Sequence, residues 1–384
     1  MVIILHAADF HLDAPSPSFL VPGDAVRRRE ERLTAFERVM RVAAERGAEL
    51  VLIAGDLLEN VHARRQTVRR AAEAFAALQP AQVLIAPGNH DPFVSSGFYA
   101  VHEWPSNVHV FPPGWTQWTS RDGKCVVSGF GWDRAEITEP LLRNCPPAPA
   151  GTVHIVLIHG DSLARGGRSV YLPISRGDLE SCRAQYVALG HVHRAEPQQA
   201  GRLLQRWMNP GAPEPLDFGE AEALRGVVWG RVGTDGCELE LAPVKPMREY
   251  RLRTIEVDGL DGEPAVAERI RNQLPEDQRK RDFFRLTLTG RLEPDVKLSL
   301  VALRGLLEDD FCFWEAEDQT HAAYHLEAIA AEPGFRGEFV RAMFESAHAA
   351  SAQDAEEMMR ALELGLEAMA GRDVNAQLLE ERPY

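Results

Sequence analysis

Five short apolar runs in the first half of the chain end abruptly in polar residues beside Gly or Ala. They are "VIILHAADFH" (2–11), "LVLIAGDLLEN" (50–60), "VLIAPGNHD" (83–91), "HIVLIHGDS" (154–162) and "YVALGHVHR" (186–194). Runs of about four to six Val, Ile, Leu and Ala predict strands buried on both faces, the form found in layered α/β domains. Between them the period changes. Leu33, Phe36, Val39, Met40 and Ala43 within 29–46, closed by Gly47, and Val68, Ala71, Ala72, Phe75 and Leu78 within 64–78, ahead of Pro80, predict amphipathic helices. Helix after strand, repeated, implies helices packed on sheet faces. From "LLQRWMNPGAPEPLDFGE" through "GVVWGRV", Pro and Gly turns punctuate further strand and close a first domain over 1–244.

The pattern then changes. "YRLRTIEV" reads as strand, "AVAERIRNQL" as helix, "FFRLTLTGRL" as alternating strand, "VKLSLVALRGLLED" as helix and "FCFWEAE" as strand. This β-α-β-α-β order predicts a second, capping domain over 245–330. A helical segment over 331–384 follows, with Phe339, Met343 and Ala347 on one apolar stripe and Met359, Leu362, Leu366 and Met369 on another.

Composition adds limits to this picture. With 384 residues, 45% hydrophobic and 26% charged, the chain can build a large core and a smaller second unit. Its start lacks a basic leader and reaches Asp9 and His11 early, and no run of some 18 apolar residues follows, so a cytoplasmic location without membrane contact is expected. The five cysteines are scattered and never in a Cys-x-x-Cys pair, which argues against a disulfide framework or a thiolate zinc site. A formal charge of −15 argues against nonspecific phosphate binding over the whole surface. One segment, 265–291, is locally basic through Arg269, Arg271, Arg279, Lys280, Arg281, Arg285 and Arg291; a solvated helix face explains it as well as a nucleic-acid footprint does.

Chemistry gathers at the predicted strand ends, where open α/β sheets place their ligand sites. Singly, Asp9 reads as a cap, Asp56 as a turn residue and His159 as a satisfied core histidine. Together, Asp9, His11, Asp56, Asn89, His159, His191 and His193 provide seven oxygen or nitrogen ligand positions, with His90 to spare. Carboxylate, imidazole and carboxamide without thiolate suit Mn²⁺, Fe²⁺, Zn²⁺ or Mg²⁺. A shared carboxylate would hold two such ions about 3.5–4 Å apart, the arrangement that clamps both oxygens of an in-line displacement at phosphorus. No G-x-x-x-x-G-K-[ST] loop occurs, so ATP hydrolysis by this chain is not expected.

Asp9-x-His11, Gly55-Asp56, Gly88-Asn89-His90-Asp91, His159-Gly160 and Gly190-His191-x-His193 resemble the five ordered signatures of the calcineurin-like metallophosphoesterases. The elements that follow are similar in order to those of the SbcD-type DNA-repair nuclease subunits and their YhaO-like relatives. The resemblance implies a layered α/β/β/α sandwich with a smaller α+β capping domain and C-terminal helices. It implies two divalent metal ions, manganese first with iron, zinc and magnesium kept open: Asp9, His11 and His193 on one, Asn89, His159 and His191 on the other, Asp56 bridging. His90 would touch the substrate phosphate and protonate the leaving oxygen, with Asp91 orienting its ring. The implied function is a metal-dependent phosphodiesterase, the DNA exonuclease subunit of an SbcCD-like repair complex, with DNA, an SMC-like coiled-coil ATPase and a second copy of the chain as partners. The apolar stripe at Met359, Leu362, Leu366 and Met369 would suit that ATPase or fold back on the cap. Two other readings remain: a small-substrate phosphodiesterase acting on a cyclic nucleotide or nucleotide ester, and a non-catalytic, metal-stabilised assembly subunit. Glu59 stands where some SbcD-like nucleases carry a histidine, and a carboxylate there would repel a phosphodiester unless turned away or protonated. Arg64, Arg65 and the loop "ARGGRS" (164–169) are candidates to restore positive potential.

Overall fold

A computed structural model describes residues 1–20, 22–164, 168–197, 200–293 and 296–371. The chain divides into two compact units, the first Met1–Tyr250 and the second beginning at Arg251. In the first unit the strands are β1 (Val2–Ala7), β2 (Leu50–Ala54), β3 (Gln82–Ala86), β4 (Val108–Val110), β5 (Gly114–Thr119), β6 (Cys125–Gly131), β7 (Val153–His159), β8 (Tyr186–Gly190), β9 (Gly201–Arg202), β10 (Trp207–Met208), β11 (Gly226–Gly233) and β12 (Gly236–Pro243), with helices α1 (Pro22–Glu45), α2 (Arg65–Ala76), α3 (Phe98–Val101) and α4 (Arg176–Ser181). One sheet runs β4-β3-β2-β1-β11-β12-β9 and the other β10-β8-β7-β6-β5. β1 to β4 are mutually parallel, as are β6, β7, β8 and β10.

The continuous apolar runs are buried on both faces because each sheet is covered twice. Leu5, Val51, Ile53, Val83 and Ile85 pack under Phe36 and Val39 of α1 and Val68 and Phe75 of α2. Ile4, Leu50, Leu52 and Leu84, on the opposite face of the same strands, meet Val127, Ile155, Leu157 and Ala188 of the second sheet. That sheet's outer face, with Val156, Ile158, Val187 and Leu189, is covered by Leu179 of α4 and by Trp132 and Ile174 from loops. The architecture is therefore the layered sandwich expected, with a thin second helical layer. Each buried Leu or Ile contributes about 1.5–3 kcal/mol, and Leu52→Ala, between the sheets, would cost about 2–5 kcal/mol through transfer and cavity terms.

α1 begins at Pro22, seven residues before the apolar period becomes visible. Its first turns are buried by charge instead. Arg28, 1% exposed, pairs with Glu214 at 2.6 Å, and Arg32 donates to the Ala14 carbonyl at 2.6 Å.

The second unit has a sheet of β13 (Tyr250–Glu256), β14 (Phe283–Leu292) and β15 (Phe313–Ala322), in the order β13-β14-β15. Helices α5 (Glu263–Gln273), α6 (Glu276–Arg281) and α7 (Leu300–Leu306) accompany it, so β-α-β-α-β holds with one extra short helix. α8 (Leu326–Ala330), α9 (Phe335–Ala349) and α10 (Ala352–Met369) follow. Much of the basic segment is used internally: Arg279 and Arg271 pair with Asp310, Arg285 with Glu315 and Arg291 with Glu363. The apolar stripe of α10 is likewise occupied, since Leu362 and Leu366 are buried against Ile329, Val340, Phe339 and Met343. That face is packed inside its own unit and is not free for a partner; only Met369 remains exposed. The expected segment 331–384 extends past Gly371, outside the described residues. Among the described residues no helix is long and apolar enough to cross a membrane.

Candidate metal centre

All the expected ligands leave the carboxyl ends of five parallel strands: Asp9 and His11 after β1, Asp56 after β2, Asn89 after β3, His159 at the end of β7, His191 and His193 after β8. The chain turns sharply there. Asp9, His11, Asp56 and His191 have φ of 57°, 45°, 49° and 96°, a region that costs non-glycine residues of order 1–3 kcal/mol and that clusters at functional sites. Main-chain bonds hold the turns, from Asp9 N to Gly55 O (3.1 Å), His11 N to Asp56 O (2.9 Å) and Leu12 N to Leu57 O (3.0 Å). Two glycines permit the closeness. A Cβ on Gly55, whose φ is +86°, would lie 2.2 Å from the His159 ring, and one on Gly88 2.3 Å from Asp56 Oδ1.

The donor atoms converge on Asp56, which is fully buried. Its Oδ2 faces His159 Nε2 at 3.3 Å and His11 Nε2 at 3.6 Å, and makes no hydrogen bond. Asn89 Oδ1 lies 2.8 Å from His159 Nε2 and 3.2 Å from His191 Nδ1, and His11 Nε2 lies 3.0 Å from His193 Nε2. Asp9, His11 and His193 present one cluster of ligand atoms within 4.8 Å of one another, and Asp9, Asp56 and His159 a second. An orphaned, buried carboxylate oxygen amid ring nitrogens is the arrangement a cation satisfies, so the donors present fit divalent metals. Outer contacts fix the rings as metal sites require: His159 Nδ1 donates to the Ala54 carbonyl at 3.0 Å, leaving Nε2 inward, and both Asp9 oxygens accept from His191 N at 3.0 and 3.1 Å. Burial raises the Asp56 carboxyl, but the imidazoles of His159, His11 and His90 outweigh it and keep the group ionised.

The sequence pattern of the calcineurin-like phosphoesterases matches residues 2–195, half of the chain and the stretch that carries the whole cluster. The protein belongs to that family. Among curated relatives, the uncharacterized metallophosphoesterase YhaO of Bacillus subtilis is 27% identical over 200 residues, covering 50% of this chain and 48% of its own length. The DNA double-strand break repair protein Mre11 of Aeropyrum pernix is 37% identical over 277 residues, covering 67% of this chain and 64% of its own. Its namesake from Methanopyrus kandleri is 25% identical over 302 residues, with 69% and 62% covered. The chain thus spans about half to two thirds of the length of these relatives.

His90 differs from the candidate ligands: its ring is 45% exposed at the edge of the cluster, and its amide donates to Asp56 Oδ1 at 2.9 Å. The expectation that Asp91 orients it is corrected. The Asp91 carboxylate turns inward and accepts from the amides of Gly88 (2.7 Å), Asp56 (3.1 Å) and Leu58 (3.1 Å) and from Tyr99 Oη (2.5 Å). It ties the β2 and β3 loops together. Three inward amides outcompete an outward imidazole for a buried acceptor. Burial, with nearby Asp56, pushes the Asp91 carboxyl up to about 7. Glu59 takes the orienting place instead. The His90 Nδ1–H donates to its two oxygens at 3.0 and 3.1 Å, and His11 Nδ1 lies 3.5 Å away. Burial works against its charge, yet the nearby His11 ring and the bond from His90 lower Glu59 to about 2, and the bond to Glu59 in turn raises His90. The Glu59 carboxylate is thus turned toward the His90 ring and paired with it. His11, Glu59 and His90 also form a third cluster of ligand atoms within 4.8 Å.

Glu220 is a site residue that the sequence reading missed. Its Oε1 accepts from His193 Nδ1 at 2.6 Å and leaves His193 Nε2 facing the cluster. Buried charges anchor the loop that carries it: Arg28 on Glu214 and on the Pro215 carbonyl (2.8 Å), and Arg225 on the Glu220 carbonyl (2.7 Å). Glu220 lies 27 residues from its partner in a proline-rich turn, and its only sequence signal was membership of the "PEPLDFGE" stretch. Arg64 and Arg65 are exposed at the start of α2 and Arg168 is exposed on its loop; Arg165, Gly166 and Gly167 lie outside the described residues.

Proposed function

We propose that the protein is a dinuclear, metal-dependent phosphodiesterase acting at DNA ends. One ion would be held by Asp9, His11 and His193, the other by Asn89, His159 and His191, with Asp56 shared. The observation that carries this reading is the orphaned Asp56 Oδ2 ringed by imidazoles beside an outward-facing His90. Bound there, divalent cations, manganese first, would neutralise phosphoryl oxygens and lower the pKa of a water. The chain's own residues do the rest. Asp56 and Asp9 supply negative charge that holds cations in a buried site. Glu59 fixes the His90 ring through Nδ1, so Nε2 is the nitrogen presented to a phosphoryl oxygen, where it donates a proton to the departing one. Matches to two DNA double-strand break repair proteins named Mre11 support DNA as substrate; an SMC-like ATPase as partner and a cytoplasmic location belong to the same proposal and rest on the resemblance of the sequence motifs alone.

The test compares parent and His90→Ala, each supplied with Mn²⁺, on end-labelled duplex DNA and on bis(4-nitrophenyl) phosphate. Cleavage of both by the parent, with kcat lowered by about 10²–10⁴ in the variant, is expected. A parent that cleaves neither substrate overturns the enzymatic reading. Turnover of the ester alone favours a small-substrate phosphodiesterase, a reading that the ionised Glu59 beside the exposed ring supports, because it opposes the dense charge of a duplex.

A further inference from the structure

Beside His90 a cavity of about 560 Å³ opens, bounded at one end by Asn89 and His90. That volume falls in the range of about 300–1,000 Å³ typical of small-ligand clefts. Its other lining is unlike an anion site. Val61, Val94, Phe98 and Tyr171 contribute apolar or aromatic surface, and Glu59 and Glu136 are its charged residues; no Lys or Arg lines it among the described residues. Val61 is 86% exposed and Tyr171 38% exposed, so folding does not account for their position. The Tyr171 ring also lies 5.0 Å from that of His191, tilted by 40°, which ties the cavity to the cluster. A group esterified to a phosphate at Asn89 and His90 extends directly into this space. Its walls repel a second phosphate and accept a flat, uncharged ring, because any base offers a π-face to an aromatic or apolar wall.

We infer that this cavity is the seat of the nucleoside attached to the scissile phosphate, with its base against Tyr171, Phe98 and Val61. The inference rests on the phosphodiesterase reading above and names its substrate as a nucleoside phosphodiester, from a DNA terminus or a free nucleotide ester. The Mn²⁺-supplied full chain is assayed on thymidine 5′-(4-nitrophenyl phosphate) and methyl 4-nitrophenyl phosphate, as parent, as Val61→Ser, which strips apolar surface, and as Ser96→Trp, which fills the cavity from an exposed position. The parent prefers the nucleotide ester, and in both variants the ratio of the two kcat/KM values falls at least fivefold, through KM. A ratio unchanged in both variants overturns the assignment while leaving phosphodiester hydrolysis intact. Equilibrium dialysis of thymidine 5′-monophosphate reads the cavity without turnover: binding at least fivefold weaker in Ser96→Trp supports the seat, and equal binding overturns it, even where neither ester is hydrolysed and the catalytic reading itself has failed. An equal loss on a labelled single-stranded tetranucleotide assigns the nucleoside to a DNA end, and a loss confined to the mononucleotide assigns it to a free ester.

Discussion

Glu59 and Glu220 do the same work on two different histidines: each accepts a hydrogen bond from Nδ1–H and so decides which nitrogen the ring presents. Outer carboxylates of this kind typically carry about 10- to 100-fold of metal affinity or activity. Glu220→Ala is therefore expected to weaken Mn²⁺ binding by about 10- to 100-fold, read by calorimetric titration of the metal-free protein; unchanged affinity would mean that His193 is held without it. Glu59→Ala should lower kcat about tenfold with little change in KM, short of the 10²–10⁴ lost with proton transfer itself. Glu59→Gln, which keeps an acceptor for Nδ1, should recover most of that loss, and no recovery would argue against orientation as its role. The seven positions proposed as ligands were legible in the sequence because each follows closely on an apolar run, and the fold brings them to one cluster. The division of labour around His90 was not. "NHD" places Asp91 next to His90 in the chain, but three backbone amides draw its side chain the other way, while Glu59 arrives from another strand 31 residues earlier.

Among the elements, the five strands that lead into the cluster were readable because they are apolar runs buried on both faces, whereas β4, β5 and β6 were not singled out; α2 was readable because Val68, Ala71, Ala72 and Phe75 form one buried stripe. The start of α1 was not, since its buried face consists of arginines that a hydrophobic period scores as solvent. That face is a sensitive point of the fold. Arg28 is buried with Glu214, whose other oxygen accepts from Met247 N, and Arg248 pairs with Glu31 at 2.7 Å. Arg28→Ala leaves Glu214 buried and uncompensated, which is expected to cost about 3–5 kcal/mol. Arg27→Ala, one residue earlier, removes a pair whose arginine is 69% exposed and should cost about 0–1 kcal/mol. Denaturant midpoints of the two variants test the contrast, and equal losses would mean that the buried network does not brace α1. Glu220 hangs from the same loop as Glu214, so Arg28→Ala should also loosen Mn²⁺ binding.

For the sandwich as a whole, strand order and face-to-face packing depend on contacts far apart in sequence, which no local pattern records. His6 is one of them. It stands in β1 of the first sheet, fully buried, and reaches β8 of the second: its Nε2 donates to the Leu189 carbonyl at 3.0 Å, and its Nδ1 accepts from Tyr186 Oη at 2.9 Å. Both bonds suit a neutral ring. Burial lowers its pKa from 6.5 to about 3, against a smaller opposing effect of the Leu189 bond. Between those values the unfolded chain binds a proton that the folded chain refuses, so stability is complete above pH 6.5 and declines as pH falls toward 3, by up to about 1.4 kcal/mol per pH unit. The other histidines and carboxylates add their own slopes, so the prediction concerns a difference. His6→Gln, which keeps a donor and an acceptor but does not titrate, should lose stability at pH 7.5 and yet show a pH dependence between 4 and 6.5 shallower by about one proton. Melting the parent and the variant across that range measures it, and parallel curves would mean that His6 is charged in the folded state and that the two sheets are joined there by a cation.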